Sequence, residues 1–234
     1  MTGLTVDDHG ESLPHGYTNH TRGDGDVVVK RYEGPDAADR ARRERTALRA
    51  LRCRLPVPDV LNSDGDEGEL RMRHVAGIHG QELIDAGEAG AVLRACGALL
   101  RGIQEIDVAA VAPDLGPCTG TVLVHGDFGP NNVLLDPARV AVTAVLDWEW
   151  VHGGDAVEDA AWCEWIVRMH HPAHVDALDE FFQAYGTRPA WSRRQDAMVE
   201  RCRELLQMCH RWDADGAGVQ LWRQRLERTT AWVE

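Results

Sequence analysis

Four groups of residues stand in an order that suggests chemistry. Lys30 closes a valine-rich run, and Glu44 follows it 14 positions later. His125-Gly126-Asp127-Phe128-Gly129-Pro130-Asn131-Asn132 comes next, and Val145-Leu146-Asp147-Trp148-Glu149 follows that. Phosphoryl transfer needs this combination. A γ-phosphoryl group departs as a charged, loosely bonded species, so the protein's work is positioning and charge neutralisation. A lysine can hold phosphates while a glutamate on a neighbouring helix holds the lysine. A carboxylate near an acceptor hydroxyl can orient it and take its proton. An asparagine oxygen and a second carboxylate are hard ligands suited to Mg²⁺. Asp127 and Asn132 lie five apart in one loop, so one rigid turn can aim them at acceptor and metal.

Lys30 is the one lysine among 25 basic residues; the others are arginine. An ammonium is a compact point charge where a guanidinium is a planar fork, so a lone lysine in such a background can mark a place where arginine will not serve. Taken alone, the count also allows chance. A His-Gly-Asp run alone reads as a polar turn, and an Asp-Trp pair alone carries no signal. The order and the five-residue gap carry the argument.

The elements that must position these residues are legible in outline. Leu13 to Tyr32 reads as strands with turns at Gly16–Asn19 and at Gly23-Asp24-Gly25, and Asp26–Tyr32 is the second strand. Asp36 to Leu51 is helical, with Glu44 one turn before Leu48. Pro56-Val57-Pro58 is extended, Asp64–Gly68 an acidic turn, and Glu69–Val75 another strand. A short link over Arg73–Gly80 leads to a helix carrying Val92, Leu93, Cys96, Leu99, Leu100 and Ile103. Thr121–His125 is a short strand, and Asn132–Leu135 with Val140–Leu146 form a hairpin around Asp136-Pro137 that returns Asp147 to the loop. Beyond Asp155 the chain is helical, broken near His171-Pro172 and Arg188-Pro189. Strands first and helices afterwards predict an α+β fold in two lobes, 1–75 and 76–234.

These motifs carry a resemblance. His125-Gly126-Asp127-x-x-x-x-Asn132 followed by Leu146-Asp147-Trp148-Glu149 resembles the aminoglycoside phosphotransferase and choline kinase superfamily, small-molecule relatives of the protein kinases. The likeness runs from about Leu13 to Ala161. It implies a protein-kinase-like bilobal fold, with a small N-terminal antiparallel sheet plus helix and a larger, mainly helical C-terminal lobe. The nucleotide, ATP or GTP with Mg²⁺, would lie between the lobes. By the resemblance Lys30 pairs with Glu44 and the phosphates, Asp127 is the catalytic base, and Asn132 and Asp147 bind the metal. Leu70–Val75 is similar to the strand entering the hinge, where backbone groups near Arg73 and Val75 would meet the base. Gly16–Thr21 resembles a loose phosphate loop, with Thr18 and Asn19 as contacts. Asp159 resembles a family carboxylate that supports the catalytic loop, and equally suits a helix-surface acid. His125 reads as a structural hydrogen-bonding residue.

The departures bear on the substrate. Gly126 stands where protein kinases have arginine, Asp-Trp-Glu replaces Asp-Phe-Gly, and there is no Ala-Pro-Glu motif, which argues against protein substrates. Gln104 stands where many relatives end a helix in Leu-His. The acceptor is expected to be a hydroxylated small molecule: an aminoglycoside, peptide or nucleoside antibiotic in a resistance role. The alternatives are a metabolic kinase for choline, homoserine or an amino sugar, and a nucleotide-binding module without turnover.

Composition narrows the rest. The net charge of −13 disfavours nucleic acid, whose phosphates need a basic partner surface. Residues 1–75 hold 12 basic and 14 acidic side chains, whereas 76–234 hold 13 and 24. An acidic second half is either solvated surface or a field that attracts a cationic acceptor, with Glu149, Asp155 and Glu164 as the residues to line its site. Six cysteines without CxxC spacing read as reduced thiols, and with no membrane-length apolar run or leader-like start a cytoplasmic, membrane-free protein is expected. Most of the eight tryptophans read as core. His170, His171 and His174 read as surface or helix-end residues. Oligomeric state is not legible.

Overall fold

The computed structural model describes residues 11–12, 19–61, 68–111 and 121–234. The first lobe is an antiparallel sheet in the order β1 (Glu11–Ser12), β2 (Asn19–Asp24), β3 (Val27–Tyr32), β4 (Glu69–Arg73), with helix α1 (Ala37–Leu51) against it. In β3 the period-2 alternation leaves Arg31 exposed and buries Lys30 and Tyr32 on the same face. Lys30 sits opposite Thr21 on one side and Leu70 on the other. On α1, Arg40, Glu44, Ala47, Leu48 and Leu51 recur at three- and four-residue spacing and form its buried face. Two of those five are charged, so the helix packs on apolar contacts at its C-terminal end and on ion pairs at its N-terminal end.

A short connection leads through β5 (Ile78–His79) and the one-turn α2 (Gly80–Leu83) into α3 (Ala89–Gln104), whose Val92, Leu93, Cys96, Leu100 and Ile103 are buried. Burying such side chains stabilises by roughly 1.5–3 kcal/mol each. Helix α3 packs on α5 (Leu178–Tyr185) at very short range. A Cβ on Gly97 would lie 2.1 Å from the Phe181 carbonyl oxygen, so only glycine permits this approach. Gln104 ends α3 by donating to the Ala156 carbonyl (3.0 Å) and accepting from the Tyr185 hydroxyl (2.6 Å), which ties three helices together.

Strand β6 (Val122–Val124) pairs with β9 (His152–Gly154), and β7 (Val133–Asp136) pairs with β8 (Ala141–Val145) and β5. The expected hairpin is therefore present, with a bulge at Leu134/Leu135. Helices α4 (Val157–His170), α6 (Trp191–Trp212) and α7 (Ala217–Thr230) complete the second lobe around Trp162, Trp165, Ile166, Met198 and Cys202. Breaks fall at His171-Pro172 and before Trp191, as the prolines require. The tryptophans of α4 are core residues, and Cys96, Cys163 and Cys202 are buried free thiols. No helix among the described residues is long and apolar enough to cross a membrane. The arrangement is bilobal, a small sheet-and-helix lobe on a larger helical one.

Candidate active site

The loop after β6 is held from below. Asp159, on the first turn of α4, is fully buried and accepts from the backbone N–H groups of His125 (2.6 Å) and Gly126 (2.9 Å). Of its two sequence readings, the loop-supporting one applies. Burial pushes its carboxyl up to about 6, against the pull of those two N–H groups. His125 accepts from the Asp127 N–H at Nδ1 (3.2 Å) and donates from Nε2 to the Leu146 carbonyl (2.8 Å). Burial pushes its imidazole down to about 4, so it is neutral at physiological pH. Gly126 has φ +85°, and a Cβ there would meet the Trp150 Cβ and carbonyl oxygen at 2.7 Å. That clash explains why this position does not hold the arginine of protein kinases.

Asp127 is fixed from two sides. Asn132 Nδ2 donates to its carbonyl (2.8 Å) and to Oδ2 (2.9 Å), and Trp162 Nε1 donates to Oδ1 (2.7 Å). Burial, with the nearby Asp147 charge, pushes its carboxyl up to about 6. The hairpin delivers Asp147: Val133 pairs with Val145, and Leu146 N–H donates to the Asn132 carbonyl at 2.9 Å. Asp147 itself is left-handed, φ 67° and ψ 55°, a strained conformation for a side-chain-bearing residue that recurs at functional sites.

Lys30 connects the lobes. Its Nζ lies 2.7 Å from Glu44 Oε2, 2.5 Å from Asp147 Oδ1 and 3.8 Å from Glu149 Oε2. Burial alone would lower its pKa, but Asp147 and Glu44 outweigh that and hold it well above the ordinary lysine value. In turn, burial would raise Asp147, and the Lys30 charge and hydrogen bond hold it below the usual carboxylate range. Glu44 also receives the Tyr32 hydroxyl and the Trp148 N–H (3.2 Å).

The remaining expected residues divide. Asn19 Nδ2 donates to both Glu149 oxygens (3.2 and 3.1 Å), and Arg40 Nη1 reaches Glu149 Oε2 at 2.8 Å. Glu149 is thus buried beside Lys30 on the small-lobe side of the cleft. Asp155 is paired with Arg193 at 2.7 Å, away from the main cavity. Glu164 is fully buried between Arg168 (2.8 Å) and Arg194 and does not reach the cavity. The three carboxylates expected to line an acceptor site are therefore not brought together: burial commits Glu149 and Glu164 to arginines, and Asp155 pairs with Arg193 at the surface. Arg73 and Val75 line the cavity, although the Arg73 N–H is already given to the Asp59 carbonyl at 2.8 Å. Thr18 lies outside the described residues. His170 and His171 line the cavity, His171 buried and 3.0 Å from Asp85.

Sequence reasoning missed Arg40, Tyr32, Trp162 and Arg201. Arg40 is one helical turn before Glu44, and Tyr32 is two residues after Lys30, so the periodicity of helix and strand carried both. Trp162 and Arg201 left no local sign.

Lys30, Asp127, Asn132, Asp147 and Glu149 border one cavity of about 1190 Å³, running from Val28, Met72 and Val75 past these residues to helices α4, α6 and α7. Against known proteins, the model of the phosphotransferase enzyme family matches residues 9–119 and 115–197. The chain belongs to this family. A 51-residue stretch is 45% identical to hygromycin-B 4-O-kinase of Escherichia coli, spanning 20% of this chain and 14% of that protein. A 42-residue stretch is 48% identical to acyl-CoA dehydrogenase family member 10 of Mus musculus, spanning 18% of this chain and 4% of that protein. Among solved structures, the GDP complex of aminoglycoside 2'-phosphotransferase-IIIa superposes with a TM-score of 0.74 at 14% identity, covering 96% of this chain and 94% of that one. A choline/ethanolamine kinase family protein from Mesorhizobium loti gives 0.66 at 16% identity, covering 95% and 87%. The bilobal, protein-kinase-like fold is thereby shared with these structures.

Proposed function

We propose that this phosphotransferase-family protein moves the γ-phosphoryl group of ATP or GTP, with Mg²⁺, to a hydroxyl of a small acceptor, and that the acceptor is an antibiotic. The observation that carries the reading is the convergence on one cavity of Lys30, Asp127, Asn132 and Asp147 from three separate stretches of chain. The hygromycin-B 4-O-kinase stretch supports an antibiotic acceptor.

In this reading Lys30, held by Glu44, receives the nucleotide phosphates as a point charge. Asp127 accepts a hydrogen bond from the acceptor hydroxyl and takes its proton as the oxygen attacks. Its carboxyl, at about 6, is ionised at neutral pH yet basic enough to serve. Trp162 and Asn132 keep it from rotating. The donor set fits a hard divalent ion. Asn132 spends its Nδ2 on Asp127, which leaves Oδ1 as its ligand atom, and Asp147 is held ionised. Those two residues would hold Mg²⁺, which neutralises the phosphate oxygens when bound. Glu44, Asp147 and Glu149 also place carboxylate oxygens within 4.8 Å of one another, but Lys30 already sits among them as their cation.

Incubation with labelled ATP, Mg²⁺ and a panel of hydroxylated antibiotics tests the reading. Acceptor-dependent product, with a raised Mg²⁺ requirement in Asp147→Ala and Asn132→Ala, is expected. Nucleotide binding without turnover on any acceptor would replace it with a binding module.

A further inference from the structure

Asp127 is aimed partly from outside its own loop. Trp162 Nε1, on α4, donates to Oδ1 at 2.7 Å, while Asn132 holds Oδ2 from within the loop. A single indole N–H sets the direction of a carboxylate only if the indole cannot tilt. The Trp162 ring is buried and stacks on Trp165 at 4.3 Å with planes 5° apart. The residue before the base is pinned as well, since a Cβ on Gly126 would meet the Trp150 Cβ and carbonyl oxygen at 2.7 Å.

Arg201, on α6, lies against both of these tryptophans. Its guanidinium carbon is 5.1 Å from the Trp150 ring centroid and 6.0 Å from that of Trp162, within the range of cation–π attraction. It borders the main cavity with Asp127 and also a second cavity that Gly126 and Asp159 line. The buried arginines Arg40 and Arg194 are each matched to a buried glutamate. Arg201 is not: its side chain is 18% exposed, and its partner Glu204, at 2.9 Å, is 54% exposed. Its buried Nε has no hydrogen-bond partner. An N–H left unpaired in the interior is costly, and an apolar side chain would fill the space without that cost. What an apolar side chain would not supply is a flat cation held on two rings beside Asp127, where the Arg201 charge opposes the rise that burial imposes on the carboxyl.

We propose that Arg201 is a positioning residue: lying against Trp150 and Trp162, it fixes the indole whose N–H aims Asp127 at the acceptor hydroxyl, and ties that indole to the backbone at Gly126. The consequence for catalysis rests on the phosphotransferase reading; the dependence of the Trp162–Asp127 hydrogen bond on Arg201 does not. Arg201 acts through Trp162, so the two residues work in series.

The test is nitrogen-15 NMR of the whole protein labelled at its tryptophan indoles, paired with release of labelled phosphate from MgATP with water in the acceptor's place. The Trp162 signal is the one lost in Trp162→Phe and moved in Asp127→Ala, which removes the accepting oxygen and marks the unbonded position. Arg201→Met keeps a long side chain without the charge or the plane, and should move the signal at least halfway to that position. Phosphate release should slow about tenfold in Arg201→Met and about a hundredfold in Trp162→Phe, and the double variant should be no slower than Trp162→Phe alone. Unchanged MgATP affinity by calorimetry would show that each variant is folded. The inference is overturned if Arg201→Met leaves the signal in place, if the signal moves while phosphate release keeps its wild-type rate, or if the two losses multiply in the double variant. Should Trp162→Phe not fold, Asp127→Ala still assigns the signal, and its response to Arg201→Met decides. A wild type that binds MgATP without releasing phosphate leaves the decision to the signal. A wild type that does not bind MgATP removes the phosphotransferase reading and this catalytic role with it.

Discussion

Two buried ionic clusters can be compared within this molecule. One gathers Lys30, Arg40, Glu44, Asp147 and Glu149 between the lobes; the other gathers Glu164, Arg168 and Arg194 inside the helical lobe, with Glu234 at its edge. Both consist of charges withdrawn from water, and each glutamate in them is almost completely buried apart from Glu234. They differ in balance and in outlook. The first has three carboxylates against two cations, and burial together with the neighbouring carboxylates pushes Glu149 above the usual range, as expected of a surplus charge. It also borders the cavity, with Asp147 30% exposed. The second has two arginines against two carboxylates and does not touch the cavity. Buried charges that are matched and closed can only hold structure. Buried charges left unmatched and facing a cavity can receive a counter-ion, and the surplus carboxylate here is one that the proposed Mg²⁺, rather than the anionic nucleotide, would offset.

The difference can be broken by experiment. The largest effect is expected at Asp127, the proposed base beside the first cluster. Asp127→Asn keeps the side chain's size, although its amide can accept from only one of Asn132 and Trp162, and it removes the proposed proton acceptor, so turnover should fall by ~10²–10⁴-fold. Product release and calorimetry with MgATP are the measurements, and nucleotide affinity should stay close to wild type. Turnover within a few-fold of wild type would take the role away from Asp127.

The second cluster should answer in stability instead. Arg194→Met strands part of the Glu164 charge, although Arg168 still holds one oxygen. A loss of about 3 kcal/mol is expected from urea unfolding, at the low end for a broken buried pair. Activity per folded molecule should be unaltered. A change in nucleotide affinity at unchanged stability would contradict the separation drawn between the clusters.

Lys30→Arg sharpens the comparison at constant charge. A planar, longer group cannot sit 2.5 Å from Asp147 and 2.7 Å from Glu44 in the same space, so turnover should drop by about tenfold, roughly 1.4 kcal/mol of barrier. Wild-type kinetics would make the lone lysine an accident of composition.

The smallest effect concerns pH. Asp159 has its carboxyl raised to about 6 in the folded protein. Its folded state therefore binds more protons than the unfolded chain between about pH 4 and 6. Its contribution to stability is fully present below the unfolded value and is lost as pH rises through the folded one. Thermal midpoints of wild type and Asp159→Asn across that window should converge toward higher pH. The asparagine variant should be the less stable, since an amide cannot accept from both the His125 and Gly126 N–H groups with two oxygens. A constant difference across the window would mean that Asp159 stays ionised throughout.

The sequence by itself determined a good deal. The strand that carries Lys30, the helix that carries Glu44, the five-residue gap from Asp127 to Asn132 and the hairpin that returns Asp147 are all local, and short-range spacing constrains which face a side chain takes. The order of strands and helices, with the motifs, was enough for the two-lobed fold. Arg40 and Tyr32 were within reach of the same reasoning. Only the tertiary structure decided the acceptor side. Glu149, Asp155 and Glu164 look alike as letters, yet one is buried beside Lys30, one pairs with Arg193 away from the main cavity and one is locked in the helical core. Trp162, Arg201 and Trp222 come from three helices and meet in one wall. Whether a charge is matched or surplus, and whether a tryptophan is core or cavity lining, depends on partners brought from 30 to 130 positions away, and no local pattern records them.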